Sequence, residues 1–210
     1  MAQHLLQIKA VKLSPQEPFT WASGWRSPIY CDNRKTLSHP QVREFIKTRF
    51  AGIVRDHFKD VELIAGVATG GIAHGALVAD ELGLPFIYVR TGAKGHGLKN
   101  QVEGDLSVGK KVVVIEDLIS TGGSSLNAVD ALRDAGMEVL GMVAIFTYGF
   151  DVAANAFAKA GIELHALTNY TLLLDQAIVN GTIQRSELPK LNEWRKDPAN
   201  WGQPQTQTSR

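Results

Sequence analysis

Four β-branched residues, Val112-Val113-Val114-Ile115, run directly into two carboxylates, Glu116 and Asp117. A turn of small, hydroxylated and glycine residues follows, Ser120-Thr121-Gly122-Gly123-Ser124. A strand that is apolar at every position is buried on both faces, which is the setting of a central parallel strand. Neighbouring carboxylates are costly to bury without partners. They belong where the strand emerges, and sugar hydroxyls or a divalent cation would serve as partners. The turn opens a helix, whose free N–H groups and positive dipole end favour an anion. It has no lysine, so it is not a Walker-A loop. The ligand implied carries a phosphate at one end and a vicinal diol nearby, as a ribose 5-phosphate does. The plainer alternative is a well-capped strand–helix turn with exposed acids, and the combination of features weighs against it.

The surrounding pattern predicts the same kind of sheet. A strand is expected over Val61–Val67, a tight turn at Ala68–Gly71 and a helix over Ile72–Leu82 stopped by Gly83. Pro85–Arg90 and Lys111–Ile115 read as strands, Gly122–Ala135 as a helix and Glu138–Tyr148 as a strand. A helix over Val152–Ala160, a short strand near Ile162–Ala166 and a helical region from Tyr170 to Trp194 complete the series. Strands alternating with helices make βαβ units and a parallel sheet. Ligands in such sheets bind at the carboxyl ends of the strands. Upstream, Ala2–Leu13 shows roughly helical spacing. Ser38 is the expected N-cap of a helix reaching about His57, with Val42, Ile46, Ile53 and His57 on one stripe. The tail from Asp197 to Arg210 lacks apolar periodicity and is expected to be a loose arm.

Two further motifs lie at strand ends. Gly66-Val67-Ala68-Thr69-Gly70-Gly71 repeats the strand–turn–helix design, and the N–H groups of Ala68–Gly71 could cradle a phosphate. Glycine there could equally mark close packing. His74, in the helix that follows, reads as structural. Arg90 leaves its strand into a glycine-rich loop, Thr91–Gly109, carrying Lys94, His96 and Lys99. Long glycine-rich loops in compact domains are often lids, and cations on a lid suit a diphosphate. The alternative is a solvated basic loop. The three motifs together imply phosphoribosyl diphosphate.

Composition narrows the remaining classes. A net charge of +1 over 210 residues gives no reason to expect nucleic acid or a membrane surface as a partner. No apolar run approaches the ~20 residues that span a bilayer. The amino-terminal MAQHLLQIKAVKL lacks the apolar core and cleavage site of a signal peptide. Cys31 is the one cysteine and cannot form an internal disulfide. A cytoplasmic location is expected. His4, His39, His57 and His165 fit no metal-ligand spacing and read as structural.

The segment VVVIEDLISTGGSS resembles the phosphoribosyl-diphosphate signature of the type I phosphoribosyltransferases. The loop RTGAKGHG and the segment FTWASGWRSPIYCDNR are similar to the orotate-using branch of that family. The likeness runs from about Phe19 to Tyr148. It implies an α/β fold with a central, mostly parallel sheet flanked by helices and a small N-terminal hood over residues 1–38. It implies a single domain, with the lid over 91–109. Glu116 and Asp117 would hold the ribose hydroxyls, directly or through Mg²⁺. The turn Ser120, Thr121, Gly122, Gly123 and Ser124 would grip the 5′-phosphate, with Leu118 and Ile119 also in the phosphoribosyl-diphosphate site. Ala68, Thr69, Gly70 and Gly71 would meet the diphosphate through a strained peptide. Arg90, Lys94 and His96 would cover it. Lys94, His96 and Asp117 would be the catalytic residues, and Mg²⁺ would be held mainly by substrate, with Asp117 reaching it through water. Orotate would lie against the Ser27–Cys31 segment, at Tyr30 and Cys31, with Ser120 close. The resemblance further implies a homodimer whose lids are shared between subunits.

Three positions depart from the family pattern. Ala22 and Thr91 stand where many relatives have lysine, and no arginine follows the strand end at Tyr148. Arg26 is the candidate to replace the lost cation. Trp21, Trp25 and Tyr30 are expected either as a hood over the ligand or as local core. A purine-base transferase and a non-catalytic sensor of phosphoribosyl diphosphate are the competing readings.

Overall fold

The chain begins α1 (Ala2–Gln7), β1 (Val11–Leu13), β2 (Phe19–Thr20), β3 (Arg26–Ser27), β4 (Ile29–Cys31) and α2 (Pro40–His57). It continues β5 (Leu63–Val67), α3 (Gly70–Leu82), β6 (Phe86–Val89), β7 (Val102–Glu103), β8 (Lys111–Ile119) and α4 (Gly123–Asp134). It ends β9 (Glu138–Thr147), α5 (Asp151–Ala160), β10 (Glu163–Asn169), α6 (Tyr170–Val179) and α7 (Leu188–Lys196). The structure is a computed structural model and describes residues 1–21, 23–90 and 101–202. The expectations placed on Ala22, Thr91, Lys94, His96 and Lys99, and on the tail beyond Gly202, lie outside the described residues.

Six strands form the central sheet in the order β10-β9-β8-β5-β6-β7. All neighbours are parallel except β7, which returns antiparallel to β6 through Tyr88↔Glu103 and Val89↔Val102. β8 lies between β5 and β9, and its apolar run is covered on both sides. Val113 and Ile115 pack in one layer with Ile46, Phe50 and Val78. Val112 and Val114 pack in the other with Val129, Leu132 and Phe157. The period-2 alternation of a strand sends successive residues to opposite layers. As expected, α3 and α5 stop at left-handed glycines, Gly83 (φ 66°) and Gly161 (φ 65°).

Several boundaries differ from the sequence expectation. The segment 2–13 is not one helix: α1 ends at Gln7, and β1 then pairs with β4 through Val11↔Cys31. His39 precedes α2 in place of Ser38, which ends a 3-10 helix over Asn33–Ser38. The buried stripe of α2 is Val42, Ile46, Phe50, Ala51 and Val54, whereas Ile53 is half-buried and His57 exposed. The loop 91–109 contains β7, because Val102 and Glu103 find backbone partners on β6. The region 170–194 breaks after α6, where Gly181 adopts φ 69° and no regular helical turn can pass. Residues 197–202 are not loose. Trp201 donates its N–H to the Asp197 carbonyl at 3.1 Å and packs against the core. An indole covers enough apolar surface to hold a short turn in place.

Candidate active site

β8 runs four residues past Ile115, and this decides where the two carboxylates go. Glu116 follows Val112 and Val114 toward α4 and is 5% exposed. Its Oε2 accepts from the Ser125 hydroxyl at 2.9 Å, and its Oε1 accepts from the Asp117 N–H at 2.9 Å. Burial, and then the charge of Asp117, push its carboxyl upward. Asp117 follows Val113 and Ile115 toward α3. Its carboxylate lies directly over Gly70, and a Cβ there would collide with it. Burial raises this carboxyl too, opposed by the Glu116 hydrogen bond and the Arg34 charge. The neighbouring acids thus face different layers and different partners.

The turn after β8 is open. Gly122 adopts φ +85°, a conformation that suits only glycine, and so aims the first turn of α4 outward. Thr121, Gly123 and Ser124 are exposed, and no described atom lies within 4 Å of where a Cβ on Gly123 would sit. The first intrahelical acceptor, the Gly122 carbonyl, takes the N–H of Leu126 at 2.9 Å. The N–H groups of Gly123, Ser124 and Ser125 therefore lack the i−4 partner of a helix interior. Across from them, the second turn begins at Ala68, whose N–H donates to the Val89 carbonyl at 2.8 Å. The Ala68–Thr69 peptide bond is cis, and Thr69 is exposed. Behind it, Gly71 lies against the Ile115 carbonyl so closely that no Cβ fits.

The amino-terminal segment meets β8 through Asn33, a residue that sequence reasoning missed. Its Nδ2 donates to the Asp117 carbonyl at 2.6 Å, and its Oδ1 receives the Cys31 thiol at 3.2 Å. Burial, Asp117 and Asp32 all push the Cys31 thiol upward, so it is a packed thiol and not a nucleophile. Tyr30, beside it, is 41% exposed. Ser27 is buried, and its hydroxyl donates to the Ile29 carbonyl at 2.8 Å. Trp21 is core: it packs on Tyr148 at 5.3 Å and Trp194 at 5.7 Å, and its indole N–H donates to the Ile29 carbonyl. Arg90 lies beside Glu103, with Nε 3.0 Å from the carboxylate.

Arg26 precedes Ser27 on β3, and its carbonyl accepts the Trp194 indole N–H at 3.2 Å. It lines a cavity of about 610 Å³ with Gln16, Lys190, Glu193 and Trp201. Two other cations, unanticipated from the sequence, stand nearer the open turn. Arg195 and Lys196 line a cavity of about 180 Å³ together with Trp25, Thr121, Gly149 and Phe150. Arg195 also donates to the Thr171 hydroxyl at 2.9 Å. No local signal marked either residue, since basic residues in a last helical turn are ordinary. His74 is structural as expected: it is 1% exposed and its Nε2 lies 3.0 Å from the Thr36 hydroxyl. Burial, helped by the Arg43 charge, lowers its pKa to about 4.

Comparison with known proteins agrees with this geometry. The family described as phosphoribosyl transferase domain matches residues 35–160. An orotate phosphoribosyltransferase of Phocaeicola vulgatus is 61% identical over 95% of this chain and 94% of its own. Among solved structures, an orotate phosphoribosyltransferase from Aeropyrum pernix is 30% identical, with a TM-score of 0.74 over 83% of this chain and 96% of that one. The UMP synthase of Leishmania donovani is 29% identical with a TM-score of 0.77; the match covers 92% of this chain but 41% of that one.

Proposed function

This chain belongs to the orotate phosphoribosyltransferase family, and from that premise we propose how its residues move a 5-phosphoribosyl group from phosphoribosyl diphosphate to orotate. The products are orotidine 5′-monophosphate and diphosphate, a step of pyrimidine biosynthesis. The observation that carries the assignment of the site is the open turn of β8–α4 beside the Asp117 carboxylate.

The N–H groups at the start of α4 and the Thr121 and Ser124 hydroxyls hold the 5′-phosphate, which places C1 of the ribose over the strand ends. Asp117, fixed by Asn33 and braced over Gly70, accepts from the ribose hydroxyls. Glu116 adds to this by leaving Ser125 or by orienting Asp117 through its N–H. A ring nitrogen of orotate forms the new bond to C1 as the bond to diphosphate breaks. Charge grows on the departing diphosphate, so donors aimed at it stabilise the transition state more than the ground state. Arg90, Lys94 and His96 fill that role, and Ala68–Gly71 meets the diphosphate with backbone N–H groups. Tyr30, Cys31 and Ser120 border the orotate ring. Arg195 and Lys196 supply the positive charge for its carboxylate, in place of the lysine missing at Ala22.

The residues fit a hard divalent cation carried mainly by substrate. Asp117 offers oxygen alone, and its desolvated carboxylate is favoured by a nearby cation. Mg²⁺ would supply charge neutralisation on the diphosphate. The working form is read as a cytoplasmic homodimer, with residues 91–109 as a lid acting at the partner's site.

Orotate absorbance, followed with Mg²⁺ and phosphoribosyl diphosphate, tests the reading. Conversion should occur with the wild-type chain and be lost in Asp117→Asn. Failure with orotate but turnover of a purine base would replace the substrate. Binding of phosphoribosyl diphosphate without any transfer would make the site a sensor's. Lys94→Ala should lower kcat by roughly 10²–10³, the scale of one transition-state donor. A loss below about tenfold would remove Lys94 from the chemistry.

A further inference from the structure

At the opposite end of the sheet, His57 converges with two side chains of β10 that lie more than a hundred residues further along the chain. Glu163 and His165 alternate along β10, so they share one face of this edge strand. His57 is the last residue of α2 and is exposed. Glu163 Oε1 lies 2.7 Å from His165 Nε2 and 3.9 Å from His57 Nδ1. The two imidazole centroids are 4.0 Å apart, tilted by 44°. One ligand atom from each of the three residues lies within 4.8 Å of the other two. The sequence spacing of His57 and His165 gave no sign of this meeting, because it joins two different elements.

We propose that His57, Glu163 and His165 form a surface site for one borderline divalent cation, Zn²⁺ in particular, distinct from the phosphoribosyl site. Ligand atoms around a four-coordinate zinc with ~2.0–2.1 Å bonds lie about 3.3 Å apart. The observed separations of 2.7 and 3.9 Å, with all three ligand atoms within 4.8 Å of one another, bracket that spacing. A hydrogen bond explains why His165 approaches Glu163. It does not explain why a second imidazole comes to the same carboxylate oxygen. Two imidazoles and one carboxylate suit zinc and its first-row neighbours, whereas Mg²⁺ prefers an all-oxygen shell.

The surroundings hold the ligands in place. The Phe58 ring meets the His165 ring edge-on at 5.7 Å. Phe58 in turn occupies the space left by Gly141, where a Cβ would collide with its ring. The register pairs Glu163 with Gly141 and His165 with Val143, at the start of β10 and partway along β9. The candidate active site lies at their far ends, beyond Ile119 and Thr147. A cation here would clamp the end of α2 to the sheet edge and leave one coordination position open to water.

Titration calorimetry with Zn²⁺, on the full chain without a histidine tag and in excess Mg²⁺, tests the site. One saturable equivalent is expected, weakened at least tenfold in His57→Ala and in His165→Ala, since even outer partners of a metal ligand are worth ~10–100-fold. Co²⁺ in place of Zn²⁺ should give visible d–d bands that both variants lose. His57 is exposed, so its variant should fold normally, which circular dichroism checks. Absence of a saturable equivalent, or one unchanged in both histidine variants, would overturn the proposal.

Discussion

The turns of β5–α3 and β8–α4 share one design and use glycine for opposite reasons. In β5–α3 the glycines are forced by contact. A Cβ on Gly66 would sit 2.8 Å from the Gly71 carbonyl, and Cβ atoms on Gly70 and Gly71 would strike Asp117 and the Ile115 carbonyl. In β8–α4 the requirement at Gly122 is first conformational, although a Cβ there would also meet the Phe157 ring at 2.9 Å, and no described atom lies within 4 Å of a Cβ on Gly123. The first turn is packed so that the second can be open. Its tight fit against β8 holds Asp117 beside that open turn.

The sharpest way to break this comparison is Gly71→Ala. The added methyl meets backbone, which cannot rotate away, so a loss of about 3 kcal/mol is expected in urea unfolding. A variant as stable as wild type would refute the packing reading of this turn.

Acid should also separate the two units. His74, on α3, has a folded pKa of about 4 against 6.5 for the free side chain, so the fold binds its proton less readily than the unfolded chain does. Its contribution is complete above pH ~6.5 and is lost as the pH falls toward ~4, about 2 kcal/mol by pH 4.5. Urea melts at pH 7 and pH 4.5 should show that His74→Gln narrows the difference between the two. Glu116, behind β8–α4, has the reverse sign. Its carboxyl is raised, so its contribution is complete below the ordinary carboxylate range and is lost as the pH rises through the folded value. Glu116→Gln should therefore flatten stability on the alkaline side. Both shifts come first from burial disfavouring the charged form, so unchanged pH slopes in the two variants would mean that neither group is held neutral by its site.

The smallest effect on stability belongs to Gly123→Ala, within about 0.5 kcal/mol, because the methyl enters open space. Activity should respond instead, through a KM for phosphoribosyl diphosphate raised tenfold or more. An unchanged KM would mean that the phosphate does not use this face of the turn.

Much of this architecture follows from local pattern. The alternation of apolar runs and helices marks five strands of the sheet, and Gly83 and Gly161 mark two helix ends that the structure keeps. The glycine turn at 120–124 stands where expected at the end of β8, whereas Glu116 and Asp117 lie inside the strand and Glu116 is buried. The exceptions have local causes that sequence signals underweighted. β8 reaches Ile119 because backbone pairing with β9 continues through Ile119↔Thr147, although polar residues interrupt the apolar run. The helical region after Tyr170 breaks at Gly181, a residue that also occurs inside helices.

The sequence alone determined the parallel sheet, the two glycine turns and the family, because strand alternation, helix periodicity and turn chemistry are short-range properties carried by adjacent residues. The tertiary structure alone decided that Asn33 anchors Asp117, that Arg195 and Lys196 stand beside Thr121, and that His57 meets Glu163 and His165. Each of these joins residues far apart in the chain and from different elements. Such meetings depend on which layers the elements pack into and on how far each strand runs. No local pattern encodes that choice; it is made when the buried faces close on one another.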